Sequence, residues 1–377
     1  MKIRVLLLDK ESSKLYYLIG RPDYSNFYFI LHKNTDVLDE NETPIGFSYE
    51  PKTLLYLDSL MCTTPFDYII ASSESHIQFA GLLRMRYGLT SGINASISAY
   101  VSNKLAMRRR LKGNVPSPEF WNSGEFLETA LSGNRDLLPD EVVIKPIYGS
   151  SSTGVVKKTL EEAVIYLKNN KGIYIVEEFL SVDVELHCDG YFVDESLEFF
   201  LVSRYARPWL KSGTLSNANI HLPMVDYRYN KAKKIVISIL KELGLKQGVF
   251  HIELFEKQGD LYFGEIAMRP GGGGITESIN YFFNVDMWDI YIKLALSLDV
   301  NIKKPEIMDS SYCGLIGLSK KDSLKRHSLK LNPFFSKIIT LRNNKENRCT
   351  GSLVYHEWMF FSCENENEVL NEFSRLT

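Results

Sequence analysis

Two carboxylates and a guanidinium, Glu253, Glu265 and Arg269, carry the sharpest chemical signal in this 377-residue sequence. They lie in two apolar runs, 249–255 and 261–269, separated by a polar segment containing glycine, which is the pattern of a β-hairpin. If the loop is Gln258, Gly259 and Asp260, Glu253 and Glu265 fall directly opposite each other on one face, about 5 Å apart. Carboxylates so placed repel each other unless something positive lies between them. A magnesium ion, with manganese as a substitute, suits that position. It prefers oxygen ligands, takes few from the protein and leaves places for phosphate oxygens and water. Arg269, four residues past Glu265, shares the face, and a guanidinium beside the metal completes a clamp on a transferring phosphoryl group. Either glutamate alone reads more simply as a solvated hairpin acid; three charges together among apolar neighbours favour a site.

A second group lies upstream. Residues 142–146 form a strand that ends in Lys145 and Pro146, followed by a loop of small residues with Gly149, Ser150, Ser151, Ser152 and Gly154. Such a loop can fold backbone N–H groups and hydroxyls over phosphates. It is not a P-loop, because no Lys-Ser or Lys-Thr follows its second glycine and no helix opens there. Taken with the acidic hairpin, it describes two sides of an ATP site. Between them, Glu177, Glu178, Phe179 and Leu180 close a strand that can offer backbone groups to an adenine edge, and Glu185 begins the next.

These groups need a scaffold of alternating elements. Residues 1–92 read as strand, helix, strand and helix at 3–8, 27–32, 66–71 and 75–87, the alternation of a small doubly wound sheet. Glu74 follows the strand at 66–71, at the carboxyl edge where such sheets bind ligands, and is equally a first-turn acid favoured by the helix dipole. A helix is expected over 96–111, stopped by Pro116 and Pro118. Its Arg108, Arg109 and Arg110 read as a solvated face. Short strands dominate from 140 onward, with helices at 160–169 and 230–243, so the fold class is α/β with α+β lobes. The boundaries expected are 1–95, 96–180, 181–300 and 301–377. The connection 203–213 offers Arg204, Arg207 and Lys211 as candidate holders of a carboxylate or phosphate, although loop cations are more often solvated. Gly272 and Gly273, before 275–277, let backbone approach a substrate carboxylate. His251 reads as a satisfied, half-buried histidine.

Composition narrows the class. The chain has 44 basic and 46 acidic residues, a formal charge of −2 and 45% hydrophobic content. That is a globular chain with no broad phosphate-binding surface, so neither nucleic acid nor membrane is expected as a partner. Five scattered cysteines without metal-ligand spacing fit a reducing, cytoplasmic compartment.

In order, these motifs resemble the ATP-grasp superfamily of carboxylate–amine ligase type over about 74–290: a helix-start lysine, V-I-K-P with a small-residue loop, E-E-F-L, E-x-x-x-D-G, H-x-E, and G-E-I-x-x-R-P-G-G. The resemblance implies an ATP-grasp fold behind an N-terminal doubly wound domain. It implies Lys104 and Lys145 as contacts to ATP phosphates, the 149–154 loop as their cover, Glu177 with the Phe179 and Leu180 backbone as the adenine hinge, and Glu185 as the ribose ligand. Glu253 and Glu265 would be the magnesium ligands and Arg269 the steadying arginine. Members often carry Asn two residues after the second glutamate as a further metal ligand; here that position is Ala267, which cannot coordinate. The four-glycine stretch is similar to that of L-amino-acid and dipeptide ligases of small-molecule biosynthesis, so the implied reaction joins a small carboxylate to an amine through an acyl phosphate. Acylation of a carrier protein, ATP-dependent carboxylation or phosphorylation, and a non-catalytic nucleotide-binding module are the alternatives.

Overall fold

The computed structural model describes residues 2–9, 18–33, 51–71, 74–149, 153–209, 216–300, 311–327, 331–341 and 355–377. The first lobe holds β1 (Ile3–Asp9), β2 (Phe27–Lys33), α1 (Pro51–Thr63), β3 (Tyr68–Ala71) and α2 (Glu74–Arg86). The segment 27–32, expected as a helix, is instead strand β2, which pairs in parallel along the whole of β1, and the sheet has the order β2-β1-β3. Parallel strands are covered on both faces, and β1 follows this rule: Leu6 and Leu8 enter one core, Val5 and Leu7 another. The β3–α2 turn places Glu74 at the carboxyl edge of the sheet.

The helix expected over 96–111 is broken in two, α3 (Ala95–Ser102) and α4 (Lys104–Leu111). Asn103 leaves helical geometry (φ −114°, ψ 109°), and its side chain accepts from the Ala106 N–H, capping α4. The break makes Lys104 the first residue of a helix, with its N–H bonded to the Ile147 carbonyl.

A small lobe follows: β4 (Phe120–Asn122), α5 (Ser123–Leu131), β5 (Glu141–Pro146), β6 (Val156–Thr159), α6 (Leu160–Asn169) and β7 (Tyr174–Glu178), with sheet order β4-β7-β5-β6. Capping boxes at Asn122 and Thr159 start its helices, whose apolar faces close a separate core around Phe126, Val142, Ile144 and Val176.

The large lobe contains β8 (Val184–Val193), β9 (Ser196–Tyr205), β10 (Asn217–His221), α7 (Tyr227–Glu242), β11 (Gly248–Lys257), β12 (Asp260–Ala267), α8 (Ile275–Phe283), α9 (Met287–Ala295), β13 (Tyr312–Leu318), α10 (Lys320–Arg326), β14 (Phe335–Thr340), β15 (Glu357–Cys363) and α11 (Glu366–Leu376). Its strands form one eight-stranded sheet, β12-β11-β8-β9-β10-β13-β15-β14. The boundary expected at 300 therefore runs through a single sheet. β13 pairs with β10, a contact between segments far apart in sequence that local patterning does not encode.

The β11–β12 hairpin differs in detail from its expected form. Its loop has two residues, since Lys257 pairs with Asp260, and Gln258 and Gly259 have φ of 54° and 82°, as a tight hairpin turn requires. That loop alone would set Glu253 against Gly264. A bulge between Glu253 and Leu254 shifts the register by one, so Glu253 pairs with Glu265 after all. Gly264 suits the bulge because a Cβ there would lie 3.0 Å from the Glu253 carbonyl oxygen.

Candidate active site

A cleft of about 440 Å³ opens between the small and large lobes and is lined from both sides. Lys104, Lys145, Gly149, Glu177, Glu178, Phe179, Leu180, Glu185, Glu253 and Glu265 all border it. Lys104 Nζ donates to Glu265 Oε1 at 2.5 Å and to the Gly149 carbonyl at 2.7 Å, tying the small-residue loop to the hairpin. Burial opposes the charge of Lys104, but Glu265 and Glu74 outweigh it and hold the ammonium above its usual range.

Negative charge is in surplus on the hairpin side. Burial pushes the Glu185 carboxyl up to about 8, with Glu253 adding repulsion. Burial likewise raises Glu265, where repulsion from Glu74 and Glu253 counts against the attraction of Lys104. A divalent cation fits this set of oxygen donors, because it supplies the positive charge that the acids lack and accepts carboxylate oxygens. Glu253 and Glu265 would hold it.

Arg269 lies just past the end of β12, and its guanidinium pairs with Glu74 across the first and large lobes. Neither residue lines the cleft, but Glu74 is near enough to act on the charges of Lys104 and Glu265, which do. Gly272 and Gly273 lead from Arg269 into α8; a Cβ at either would meet nothing within 4 Å, so this backbone borders open space.

Glu177 is engaged differently from a hinge group. Its buried carboxylate accepts from Arg108 Nε at 2.7 Å and from Lys145 Nζ at 2.5 Å, so both of its oxygens are engaged within the protein. Arg108 is 2% exposed and also donates to the Gly264 carbonyl, so it is not part of a solvated face. It lies one helical turn from Lys104, an i, i+4 spacing that sets the two on one face of α4 and could have linked them. Lys157, which had no assigned role, stands 3.7 Å above the Phe179 ring on the cleft wall. Trp209 covers the far end, and its backbone N–H donates to Glu185 Oε2 at 2.8 Å.

Arg204 and Arg207 are not brought into the cleft. Arg204 pairs with Glu366 at 2.6 Å, and Arg207 stacks on Phe373 and donates to the Thr377 hydroxyl, so both fasten α11. Ser150, Ser151, Ser152 and Lys211 lie outside the described residues. Gly154 is described, with φ of 74°, and a Cβ there would lie 3.0 Å from the Pro146 ring.

Beneath the hairpin runs a buried polar chain that the sequence motifs touch at the aspartate of E-x-x-x-D-G and the histidine of H-x-E. Asp189 accepts from His187 Nδ1 at 2.5 Å and from His251 Nδ1 at 2.9 Å, and His187 Nε2 meets Asn219 Oδ1 at 2.6 Å. Burial works against the Asp189 charge, yet the two histidines hold its carboxyl below the carboxylate range; Asp189 in turn raises His251 to about 10 against burial.

Residues 111–279 match the ATP-grasp domain family. The chain carries an ATP-grasp domain. Around that domain, an L-arginine-specific L-amino acid ligase of Bacillus subtilis is 28% identical over 250 residues, 63% of this chain and 60% of the relative. A formate-dependent phosphoribosylglycinamide formyltransferase of Mycolicibacterium vanbaalenii is 25% identical over 244 residues, 60% of each. The chain thus spans about 60% of the length of these curated relatives. Solved structures share the fold over the whole length of this chain. An L-amino acid ligase from Bacillus licheniformis superposes with a TM-score of 0.69 at 15% identity, covering 100% of this chain and 97% of that one. An N5-carboxyaminoimidazole synthetase from Staphylococcus aureus, complexed with ADP, reaches 0.69 at 14% identity, covering 100% and 98%. Among the described residues, no helix is long and apolar enough to cross a membrane.

Proposed function

We propose that this chain is an ATP-dependent carboxylate–amine ligase that forms an amide bond through an acyl phosphate, with an amino acid or related small acid as the carboxylate. One observation carries the reading: Lys104, Lys145, Glu253 and Glu265 converge on one interlobe cleft. Two relatives support it, one an L-arginine-specific L-amino acid ligase and the other a formate-dependent formyltransferase, each named for a small acid.

In the proposed reaction a carboxylate oxygen of the organic acid attacks the γ-phosphorus of ATP and ADP leaves. The amine then attacks the acyl carbon, phosphate departs, and the amine gives up a proton. Lys104 and Lys145 stand where they can balance phosphate charge, and both are already aimed by partners at 2.5 Å, so little reorganisation is needed. Arg269, once released from Glu74, can hold the acid and then the departing phosphate; Glu74 is then free to accept from an ammonium group on the same substrate. The cation at Glu253 and Glu265 would neutralise phosphate oxygens. Burial of these groups strengthens each interaction and keeps water from the acyl phosphate.

The test is phosphate release from ATP and magnesium over pooled amino acids and small carboxylic acids, with mass spectrometry of active pools. Release that requires two organic substrates, yields a condensed mass and disappears in Glu265→Gln supports the ligase. Tight ATP binding with no release from any pool, or a phosphorylated or carboxylated product, overturns it.

A further inference from the structure

His251 occupies one corner of a square of side chains on the cleft face of the large sheet. In the β11–β12 ladder it lies directly opposite Ala267, and Glu253 lies directly opposite Glu265. Residues two apart on a strand share a face, so all four point the same way. Three corners carry atoms able to ligate a metal; the fourth carries only a methyl group.

The ring of His251 is aimed from behind. Its Nδ1 bonds Asp189, its cross-strand neighbour in β8, at 2.9 Å, and Nε2 is thereby turned toward Glu253, 3.8 Å from Oε1. That separation is too long for a hydrogen bond. It lies within the span of two ligands on one ion, at most about 4.2 Å for bonds of about 2.1 Å. A ring nitrogen held by a carboxylate, with the other presented beside an acidic ligand, is the usual setting of a metal-binding imidazole. Asp189 is itself held by His187 and Asn219. His187, Asp189 and His251 could be considered a metal centre of their own. Their contacts at 2.5 and 2.9 Å argue against it, because the nitrogens that would face an ion already bond the carboxylate.

We propose that His251 Nε2 is a third protein ligand, with Glu253 and Glu265, to the divalent cation of the nucleotide site, and that it moves the preference of the site from magnesium toward manganese. Imidazole suits transition ions, whereas magnesium favours oxygen, and an ion bonded at Nε2 would displace to solvent the proton that the His251 ring otherwise carries there. The inference rests on reading the hairpin glutamates as metal ligands.

The test titrates the full chain with Mn²⁺ in the presence of a β,γ-methylene analogue of ATP, reading free Mn²⁺ by electron paramagnetic resonance. Bound Mn²⁺ is read by spin-echo modulation on protein labelled with ¹⁵N-histidine. The wild type is expected to show a directly bonded imidazole nitrogen that responds to the label. In His251→Gln that coupling vanishes and Mn²⁺ affinity falls about tenfold or more, with a smaller loss for competing Mg²⁺. Asp189→Asn, which spoils the aim of the ring, weakens Mn²⁺ about 10–100-fold and serves if His251→Gln does not fold. If Glu253→Gln abolishes Mn²⁺ binding while the wild type shows no nitrogen coupling and His251→Gln binds as tightly as wild type, the inference is overturned and the metal reading stands. If Glu253→Gln leaves Mn²⁺ binding intact, the metal reading falls and this inference with it.

Discussion

Lys104 and Glu265 are 161 residues apart in the chain, and their side chains meet at 2.5 Å. Through this pair the helix that follows the first lobe is fastened to the acidic hairpin of the large lobe, and the Gly149 carbonyl, also bonded to Lys104, draws the small lobe to the same point.

Lys104→Met is expected to lower kcat/KM for ATP about 10²–10³-fold, the loss typical of removing one preorganised charge donor. The unfolding midpoint should change little, because Glu265 remains partly exposed at 28% and can hydrate. Lys104→Arg should restore only part of the activity, since a guanidinium does not reproduce the point charge of an ammonium. Steady-state phosphate release and urea unfolding of the same preparations check both statements. Equal activity in Lys104→Met would remove this lysine from the site.

Arg108→Met is expected to destabilise the fold by about 3–5 kcal/mol, because it strips one of two cations from a buried carboxylate. Arg108 and Glu177 are 2% and 3% exposed, so water cannot replace the lost partner. Adding Glu177→Gln to Arg108→Met should recover part of the loss. Urea midpoints of the two single variants and the double variant measure the coupling directly, and additive losses would contradict it.

Acid should weaken the protein through Glu177. Burial raises this carboxyl, but Arg108 and Lys145 outweigh burial and hold it at about 2 in the folded chain, against 4.5 for a free glutamate. A depressed folded value means that the stabilisation is complete above the unfolded pKa and is lost as pH falls through the folded one. Stability should therefore drop between about pH 4.5 and 2, and the slope over that window should be shallower in Glu177→Gln by up to one proton. Denaturant titrations at a series of pH values give the slopes; identical slopes would show that Glu177 does not titrate in that range.

Much of the local architecture was legible in the chain. The strands at 141–146, 174–178, 184–193 and 196–205 follow apolar runs of strand length, and the helix at 160–169 follows a 3.6-residue period behind a capping threonine. The opposition of Glu253 and Glu265 was legible too, although for a different reason. The loop is one residue shorter than the spacing suggested, and the bulge at Gly264 restores the pairing. The break at Asn103 was missed because the apolar period runs on through it, while the competing capping bond depends on a single side chain.

Motif order and periodicity were enough to place the two lysine-bearing segments, the acidic hairpin and the glycine-rich turn on their elements, because those signals are short-range and each is set by a few consecutive residues. Which charges finally meet was decided by the tertiary structure. Arg269 reaches Glu74 across 195 residues, Arg108 leaves solvent for Glu177, and Arg204 and Arg207 turn away to hold the last helix. Nothing in the local pattern of a lysine or arginine encodes its partner; burial and the packing of three sheets choose it, since a charge removed from water must find an opposite charge wherever the fold has put one.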